Sequence, residues 1–313
     1  MTSDMKRYLV YPFDFDSRAA ALDLDTSGWN DEQRRQHEER RNQARERLGH
    51  EYGARDLERK FVDFIALGSR PFSIVSYHNG LYHSACNAFI QGLYYPALTA
   101  ACALGERILN HLILDLRDDY AHTSEYQSVK RKQSFDNWRR ACDVLSNWQI
   151  FQTDTVAEEF VSLMKLRHQS LHFNVASYKT LREDALQALR HLAEIIRSQF
   201  GFAGQHKWQI KGTAGQFFIK KECETEPFMR RYYLPQCPQV GPLFAIQFVP
   251  GGILFFDKAY PDTQITDEEF ARLYMTRDPA QVVSSELPPV PGVTIQARPH
   301  GAPVAAAEYR EQQ

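Results

Sequence analysis

Apolar residues recur at helical spacing through the middle of the chain, from about residue 76 to residue 203. The pattern predicts helices over 78–92, 96–117 and Ser134–Trp148, with two more after them. Short connections between these segments favour antiparallel neighbours and therefore an up-and-down bundle. The longest stripe is expected to face the core, and it consists of Leu98, Ala101, Gly105, Ile108, Leu112 and Leu116.

The last two helices of this region have clear start signals. Thr155 with Glu158, and Thr180 with Glu183, match the capping box, in which two side chains accept from backbone N–H groups at a helix start. Gly201 marks the end of the final helix, because glycine commonly follows a helix C-terminus. These signals bound the bundle on its C-terminal side.

The two flanks have different patterns. Near the N-terminus a short strand, RYLVYPF, precedes a charge-dense helix from Asp31 to about Leu67, which Asn30 and Gln33 can cap. The middle of that helix, RRQHEERRNQARER, is polar nearly all round, which predicts a solvated or bridging helix. After about residue 204 the period becomes that of strands, in the segments HKWQIK, QFFIKKE, RRYYL, PLFAIQFV and ILFFDKAY.

These patterns predict an α+β fold, in which an up-and-down helical bundle is followed by a small antiparallel β-rich domain. We divide the chain into an N-terminal strand and charged helix (1–75), the bundle (76–203), the β-rich domain (204–286) and a Pro-rich extended tail (287–313). One short helix, DEEFARLYM, is expected within the β-rich domain.

Composition and charge narrow the class of protein. Hydrophobic residues make up 43% of the chain and charged residues 24%, as in soluble globular proteins. No apolar run approaches the ~18 residues of a membrane span and the N-terminus lacks a signal-peptide core, so we expect a cytoplasmic protein with no membrane partner.

The five cysteines show no CxxC pair and are expected as small buried residues in a reducing compartment. Because the net charge is −2, any nucleic-acid site must be a local basic patch.

Candidate chemistry lies in the segment LMKLRHQSLHFN, on the helix that follows Thr155. Arg167, His168 and His172 interrupt an apolar pattern there, and burying a neutral polar group without a partner costs roughly 2–7 kcal/mol. His168 lies about 100° from Arg167 and about 40° from His172 around the helix, so all three are expected to face the bundle or a partner. The helix rises about 7.5 Å between Arg167 and His172, a span over which one group can hold a phosphate while the other moves a proton.

Two other interpretations of these residues are open. Arg167 can form a structural salt bridge with an acidic residue such as Glu106. His168 and His172 form an HxxxH pair, whose imidazoles lie on one helix face at a spacing that zinc favours. The zinc-protease pattern, however, needs a glutamate where this chain has Gln169, and no nearby cysteine or aspartate pattern suggests a third ligand. We therefore expect no metal site.

The spacing of Arg167 and His172 resembles the RX4–6H motif of the HEPN superfamily. The setting is also similar, since the motif lies near the end of a long helix in a bundle, and NAFIQGLYYPALTAACALGERILNHLI resembles the opening helix pair of that fold. The resemblance covers about residues 76–203 and neither flank. It implies a metal-independent endoribonuclease without a cofactor, in which two protomers commonly pair so that both motifs line one cleft.

The resemblance also implies roles for single residues. Arg167 would bind and neutralise the scissile phosphate, and His172 would be the general base or acid for attack by the ribose 2′-OH. His168 would contact RNA or orient the catalytic pair, and Glu106 would orient Arg167. Local charge, apart from the resemblance, offers two basic clusters that could hold the RNA backbone, and Tyr232 and Tyr233 beside the second could stack on bases. The alternative for each cluster is a solvated surface with buried tyrosines. The clusters are Lys130, Arg131, Lys132, Arg139 and Arg140, and Lys220, Lys221, Arg230 and Arg231.

The resemblance thus implies RNA as the partner and substrate of a homodimer that forms through its bundle. The resemblance extends this to a toxin or phage-defence effector, which a protein regulator or a defence partner could control. The alternative is a HEPN-like module that binds RNA, a nucleotide or a protein without cutting, because a fold does not decide an activity.

Overall fold

The computed structural model describes residues 4–12, 16–171, 179–202, 206–249, 252–283 and 294–299 of the 313-residue chain. Helices and small antiparallel sheets are both present, which confirms the α+β class. The α-helices are α1 (Arg18–Leu22), α2 (Asp31–Tyr52), α3 (Leu57–Leu67), α4 (Ser76–Ile90), α5 (Tyr94–Leu116), α6 (Tyr126–Val129), α7 (Trp138–Asn147), α8 (Val156–Leu171), α9 (Leu181–Phe200) and α10 (Asp267–Met275). The strands are β1 (Arg7–Val10), β2 (Phe217–Phe218), β3 (Gln239–Val240), β4 (Ala245–Val249), β5 (Gly252–Asp257) and β6 (Thr294–Pro299).

Helix α5 lies at the centre of the bundle, where it contacts α4, α7, α8 and α9. Its predicted stripe is buried along the whole helix, and Trp138 and Phe160 from the neighbouring helices are fully buried in the same core. By length and composition alone Tyr94–Tyr120 could pass for a membrane span, yet 61% of its apolar window is buried inside the fold, and core helices of soluble proteins share these properties.

Helix α2 begins where the sequence predicts the charged helix to begin. α2 begins at the capping box, in which the backbone N–H of Gln33 donates to Oδ1 of Asn30 at 2.9 Å and that of Asn30 donates to Oε1 of Gln33 at 3.1 Å. Among its residues only Leu48 and Tyr52, near its C-terminal end, are buried. Most of α2 is therefore a solvated helix, as its polar pattern predicts.

The prediction of one continuous helix up to Leu67 is wrong, because the chain turns between α2 and α3. Gly53 and Asp56 have φ angles of 82° and 55° in this turn, a region that a continuing helix cannot adopt. α3 is amphipathic and buries Phe61 and Phe64, whereas α2 has no apolar face. The turn lets α3 pack its apolar face on the fold while α2 stays in solvent.

The boundaries of α9 are predicted better than its cap. The helix follows Thr180 and ends at Gly201, as expected. The hydroxyl of Thr180, however, donates to Oδ2 of Asp184 at 2.9 Å and makes no hydrogen bond to the backbone of the first turn. The Thr180–Glu183 capping box is therefore wrong, since a side chain one residue further on competes for the hydroxyl.

The start of α7 is also displaced from its prediction. The helix begins at Trp138 and not at Ser134, because Asn137 supplies the cap by accepting from the backbone N–H of Arg140 at 3.0 Å. An asparagine is among the strongest N-cap residues. By contrast, α8 begins directly after Thr155, as expected.

The described residues form two sheets of three antiparallel strands each, ordered β2-β1-β3 and β4-β5-β6. The predicted N-terminal strand is the central strand of the first sheet, where Leu9 lies opposite Phe218 and Tyr8 lies opposite Gln239. The segment HKWQIK contributes an isolated bridge at Gln209 and no strand of its own. The N-terminal strand thus belongs to a sheet whose other members come from the predicted β-rich domain.

The predicted strand RRYYL is wrong, because Met229–Tyr233 forms a π-helical turn. Tyr232 and Tyr233 are 8% and 0% exposed, and their hydroxyls donate to Oδ2 of Asp115 at 3.1 Å and to the carbonyl of Gly201 at 2.8 Å. Neighbouring side chains of a strand point to opposite faces. The helical turn instead brings both tyrosines into the interior.

One feature near the C-terminus agrees with its prediction. α10 forms over DEEFARLYM, and its cap is Thr266, whose hydroxyl accepts from the backbone N–H of Glu269 at 3.2 Å. The predicted tail is described only at residues 294–299, where β6 pairs antiparallel with β5 of the predicted β-rich domain.

Candidate functional site

Arg167 on α8 and Glu106 on α5 form an ion pair, in which Nη2 of Arg167 lies 3.0 Å from Oε2 of Glu106. Their side chains are 26% and 31% exposed, so solvent reaches the pair from one side of the bundle. The contact shows that Arg167 pairs with Glu106, and the orienting role of Glu106 stays a prediction. A structural salt bridge and a catalytic arginine positioned by Glu106 would both place the two side chains in contact. The ion pair is therefore consistent with either interpretation.

The pair forms because α5 and α8 approach closely at Gly105. A Cβ added to Gly105 would lie 2.4 Å from Cδ2 of Leu163 and 3.3 Å from Cη2 of Trp138. Leu163 is fully buried, one helical turn before Arg167 on α8. The missing side chain at residue 105 therefore brings the backbone of Glu106 close enough to α8 for the two charges to meet.

The substitution Gly105→Ala is expected to lower the free energy of unfolding, although alanine is the better helix former. Alanine gains about 0.5–1 kcal/mol over glycine inside a helix, whereas overpacking a filled core costs about 1–3 kcal/mol. Urea unfolding of both proteins measures the difference.

Gly80→Ala in α4 is the matched control for this substitution. Apart from the neighbouring backbone of its own helix, no described atom lies within 4 Å of a Cβ placed at Gly80. Gly80→Ala should raise the stability by the helix-propensity gain alone. Equal changes in the two variants would show that the approach at Gly105 is not tight.

The guanidinium of Arg167 also lies against Trp138, with Cζ 5.9 Å from the ring centroid. Trp138 is the first residue of α7 and is fully buried. Cation–π contacts contribute about 0.5–1 kcal/mol at exposed sites and more where water is excluded. The sequence analysis did not predict that Trp138 contacts Arg167. A tryptophan directly before Arg139 and Arg140, in a segment with an apolar pattern, could have indicated a buried ring beside charged residues.

The cysteine nearest to the pair is not a nucleophile. Cys102 lies one turn before Glu106 on α5 and is buried. Burial raises the pKa of its thiol to about 12, with Arg167 acting to lower the pKa and Glu106 acting to raise it. Because the thiolate is the reactive form, a thiol with this pKa is unreactive near neutral pH.

Of the two histidines of the motif, the structure describes His168. His168 is exposed on α8, so it is accessible to RNA or to a partner and does not face the bundle core. His172 lies outside the described residues, and its catalytic role stays a prediction. The HxxxH alternative also depends on His172 and stays untested with it.

Two arginines of the first basic cluster follow the tryptophan that contacts Arg167. α7 packs against α8 and carries Arg139 and Arg140 directly after the tryptophan that contacts Arg167. Both arginines are exposed. The rest of the cluster precedes α7, and it consists of the half-buried Lys130 and the exposed Arg131 and Lys132.

The second basic cluster lies on another side of α5. Arg231 forms an ion pair with Asp115 at 3.1 Å. Asp115 is nine positions after Glu106 on α5, so the two side chains lie about 180° apart around the helix. Tyr232 and Tyr233 are buried, as the alternative of a solvated basic surface with buried tyrosines expects, so their rings are not available for stacking on bases. Arg230 is exposed, whereas acidic partners engage the two lysines in the pairs Lys220–Glu222, Lys221–Glu224 and Lys221–Asp4.

The arrangement around Arg167 suits a bound phosphate. A guanidinium has five N–H donors in a fixed plane, so it can contact a carboxylate and a phosphate at once. Glu106 and Trp138 restrict its rotamers, which reduces the entropy lost when an anion binds. Because the pair is partly exposed, the phosphate of a polymer can approach it without a rearrangement of the bundle.

The comparisons with known proteins add no family to this geometry. Among the residues that the structure describes, no three side chains of His, Cys, Asp or Glu come together as a metal site. Neither the family models, nor the curated proteins, nor the solved structures include a match to this chain. The function must therefore be argued from the site itself.

Proposed function

We propose that this protein is a metal-independent endoribonuclease that cleaves RNA at the Arg167–Glu106 ion pair. The observation that supports the proposal is the position of the pair at a partly exposed place between α5 and α8. Ion pairs with this access to solvent contribute only about 0–1 kcal/mol to stability, so stability gives little reason for one here. A phosphate-binding role gives a better reason, and the spacing of Arg167 and His172 supports it.

In this proposal each residue has one role. Arg167 binds the scissile phosphate and neutralises the charge that develops on its oxygens. Glu106 and Trp138 position Arg167 without touching the substrate. His172 takes the proton from the ribose 2′-OH as O2′ bonds to phosphorus. The P–O5′ bond breaks in the same step, and a protonated imidazole gives a proton to the leaving O5′. His168 contacts the RNA.

The rest of the proposed RNA path follows from charge. Arg139 and Arg140 lie on α7 next to Trp138 and can contact phosphates beside the scissile one. A second protomer, paired through the bundle, would supply a further arginine and histidine to the same cleft, and two-fold dimers are the commonest soluble assembly. The alternative is a module that binds RNA at this position without cutting it.

Incubation of the purified protein with mixed RNAs in excess EDTA tests the proposal. Cleavage is expected to continue, to leave 2′,3′-cyclic phosphate and 5′-hydroxyl ends, and to spare DNA, because the attacking oxygen is the ribose 2′-OH. Mass spectrometry of the products identifies the ends, and light scattering at the same protein concentration reports the dimer.

Three outcomes would contradict parts of this proposal. Ends that carry a 3′-hydroxyl, or activity that needs zinc or magnesium, would favour the HxxxH metal site. RNA that is bound but not cut would favour the binding module. Full activity in a monomer would remove the second protomer from the mechanism.

A further inference from the structure

A second candidate site lies outside the bundle, where α2 crosses α1 and the loop between them. A cleft of about 250 Å³ opens there, and Trp29, His37 and Phe64 give it an aromatic lining. Arg40 and Arg47 of α2 also line it. No acidic side chain is among the described residues that do so. The cleft is therefore both aromatic and cationic.

The cationic character arises from how charges are arranged around α2. His37, Arg40 and Arg47 follow the spacing i, i+3 and i+10, which places them along one face of the helix. The acidic residues Glu38 and Glu39 are about 100° and 80° away from the nearest of these positions, and they do not line the cleft. The residues of α2 that line the cleft thus include two arginines and no acidic residue, while Glu51 of the same helix pairs with Arg18.

The two arginines of this face differ from others on the same helix. Arg34 and Arg35 form ion pairs within the helix, with Asp31 and Glu32 respectively. Among the described residues, by contrast, neither Arg40 nor Arg47 has an acidic partner. Their charges are left to solvent or to an anion.

A third arginine at the cleft is held in place by the protein. Nη2 of Arg18 lies 2.8 Å from Oδ2 of Asp16, and its Nη1 lies 3.1 Å from Oε2 of Glu51. Its Cζ lies 5.2 Å from the ring centroid of Phe64. Arg18 therefore forms part of the wall, while Arg40 and Arg47 supply the uncompensated charge.

We infer that this cleft binds a nucleoside monophosphate. Trp29 offers a planar ring beside the apolar wall, on which a base can stack. Arg40 and Arg47 are separated by about 10 Å of helix rise, and their long side chains can converge on one phosphate. The volume is close to the lower end of ligand pockets, roughly 300–1,000 Å³, which suits a small ligand that is partly in solvent. The cleft does not include Arg167, so this inference is independent of the ribonuclease proposal.

Tryptophan fluorescence gives a direct measurement of binding. The chain has four tryptophans, of which Trp138, Trp148 and Trp208 are buried at 0%, 4% and 1% exposure, while Trp29 is half-buried at the cleft. Titration with AMP, GMP, CMP and UMP is expected to change the emission of Trp29 in a saturable way. Adenosine, which lacks the phosphate, and inorganic phosphate, which lacks the ring, should each bind at least about tenfold more weakly.

Variants on one helix separate the site from general attraction to a charged surface. Arg40→Gln and Arg47→Gln are each expected to raise the Kd for the nucleotide by about tenfold or more, because each removes a charge-assisted hydrogen bond. Arg34→Gln removes the same charge from α2 outside the cleft and should leave the Kd unchanged. Trp29→Phe should remove the fluorescence change and keep binding measurable by calorimetry.

The same chemistry is present at the phosphorylated end of an RNA strand. A 5′-phosphorylated trinucleotide that binds more tightly than the monophosphates would assign the cleft to an RNA end, and the reverse order would assign it to the free nucleotide. The inference is overturned if millimolar nucleotide gives neither a saturable emission change nor heat. It is also overturned if Arg34→Gln weakens binding as much as Arg40→Gln does, or if inorganic phosphate binds as tightly as the nucleotide.

Discussion

Replacing Arg167 or His172 with alanine is expected to abolish RNA cleavage and to leave the protein folded. A positioned general acid or base contributes about 10²–10⁴-fold to a rate, and a donor that stabilises developing charge contributes about 10²–10³-fold. Each variant should therefore lose at least about a hundredfold in activity in a cleavage assay with EDTA. The partly exposed ion pair contributes little to stability, so the melting temperature of Arg167→Ala should change by only a few degrees.

Controls for this experiment come from the same chain. Arg197→Ala removes an arginine of α9 that forms an ion pair with Glu194 and is 39% exposed, and it should cleave RNA at the normal rate. His50→Ala removes an exposed histidine of α2 and should do the same.

Glu106→Gln tests positioning rather than chemistry. It should lower kcat less than Arg167→Ala does, because the guanidinium keeps its charge and loses only its carboxylate partner. Normal cleavage in Arg167→Ala or His172→Ala, with unchanged melting, would remove the site assignment.

Asp63→Ala is expected to lower the free energy of unfolding by about 2–4 kcal/mol. The Asp63 side chain on α3 is fully buried, and Oδ2 lies 2.7 Å from Nη1 of Arg59 and accepts from the hydroxyl of Tyr94 at 2.9 Å. Oδ1 lies 2.8 Å from Nη2 of Arg182 on α9. Removing one partner of a buried ion pair costs about 3–5 kcal/mol, and the lower range follows because both arginines are about a third exposed and can reach water.

The control for Asp63→Ala is Glu183→Ala. Glu183 also contacts Arg182, with Oε1 3.5 Å from Nη1, but its side chain is 64% exposed. Its removal should change stability little, because exposed ion pairs contribute little. Urea unfolding of the three proteins compares them. Equal effects of the two substitutions would show that Asp63 does not join α3 to α5 and α9.

Local pattern alone was sufficient for much of the bundle. The buried stripe of α5 follows from helical period, because each residue of a helix contacts neighbours three or four positions away. The same argument placed Glu106 at the border of that stripe and Arg167 on α8, and it found the Asn30–Gln33 cap. These features depend on residues close in the chain, whose geometry does not need the rest of the fold.

The sequence by itself thus determined the main helices of the bundle, the core face of α5, and that a charged pair was available on two of these helices. Tertiary structure alone decided that Gly105 lets α5 and α8 approach, that Trp138 lies under Arg167, and that β1 pairs with strands about two hundred residues later. It also decided the turn at Gly53, which leaves a cationic cleft beside α2. The physical reason is that these contacts join segments remote in the chain, and their free energy comes from packing and pairing that no local period encodes.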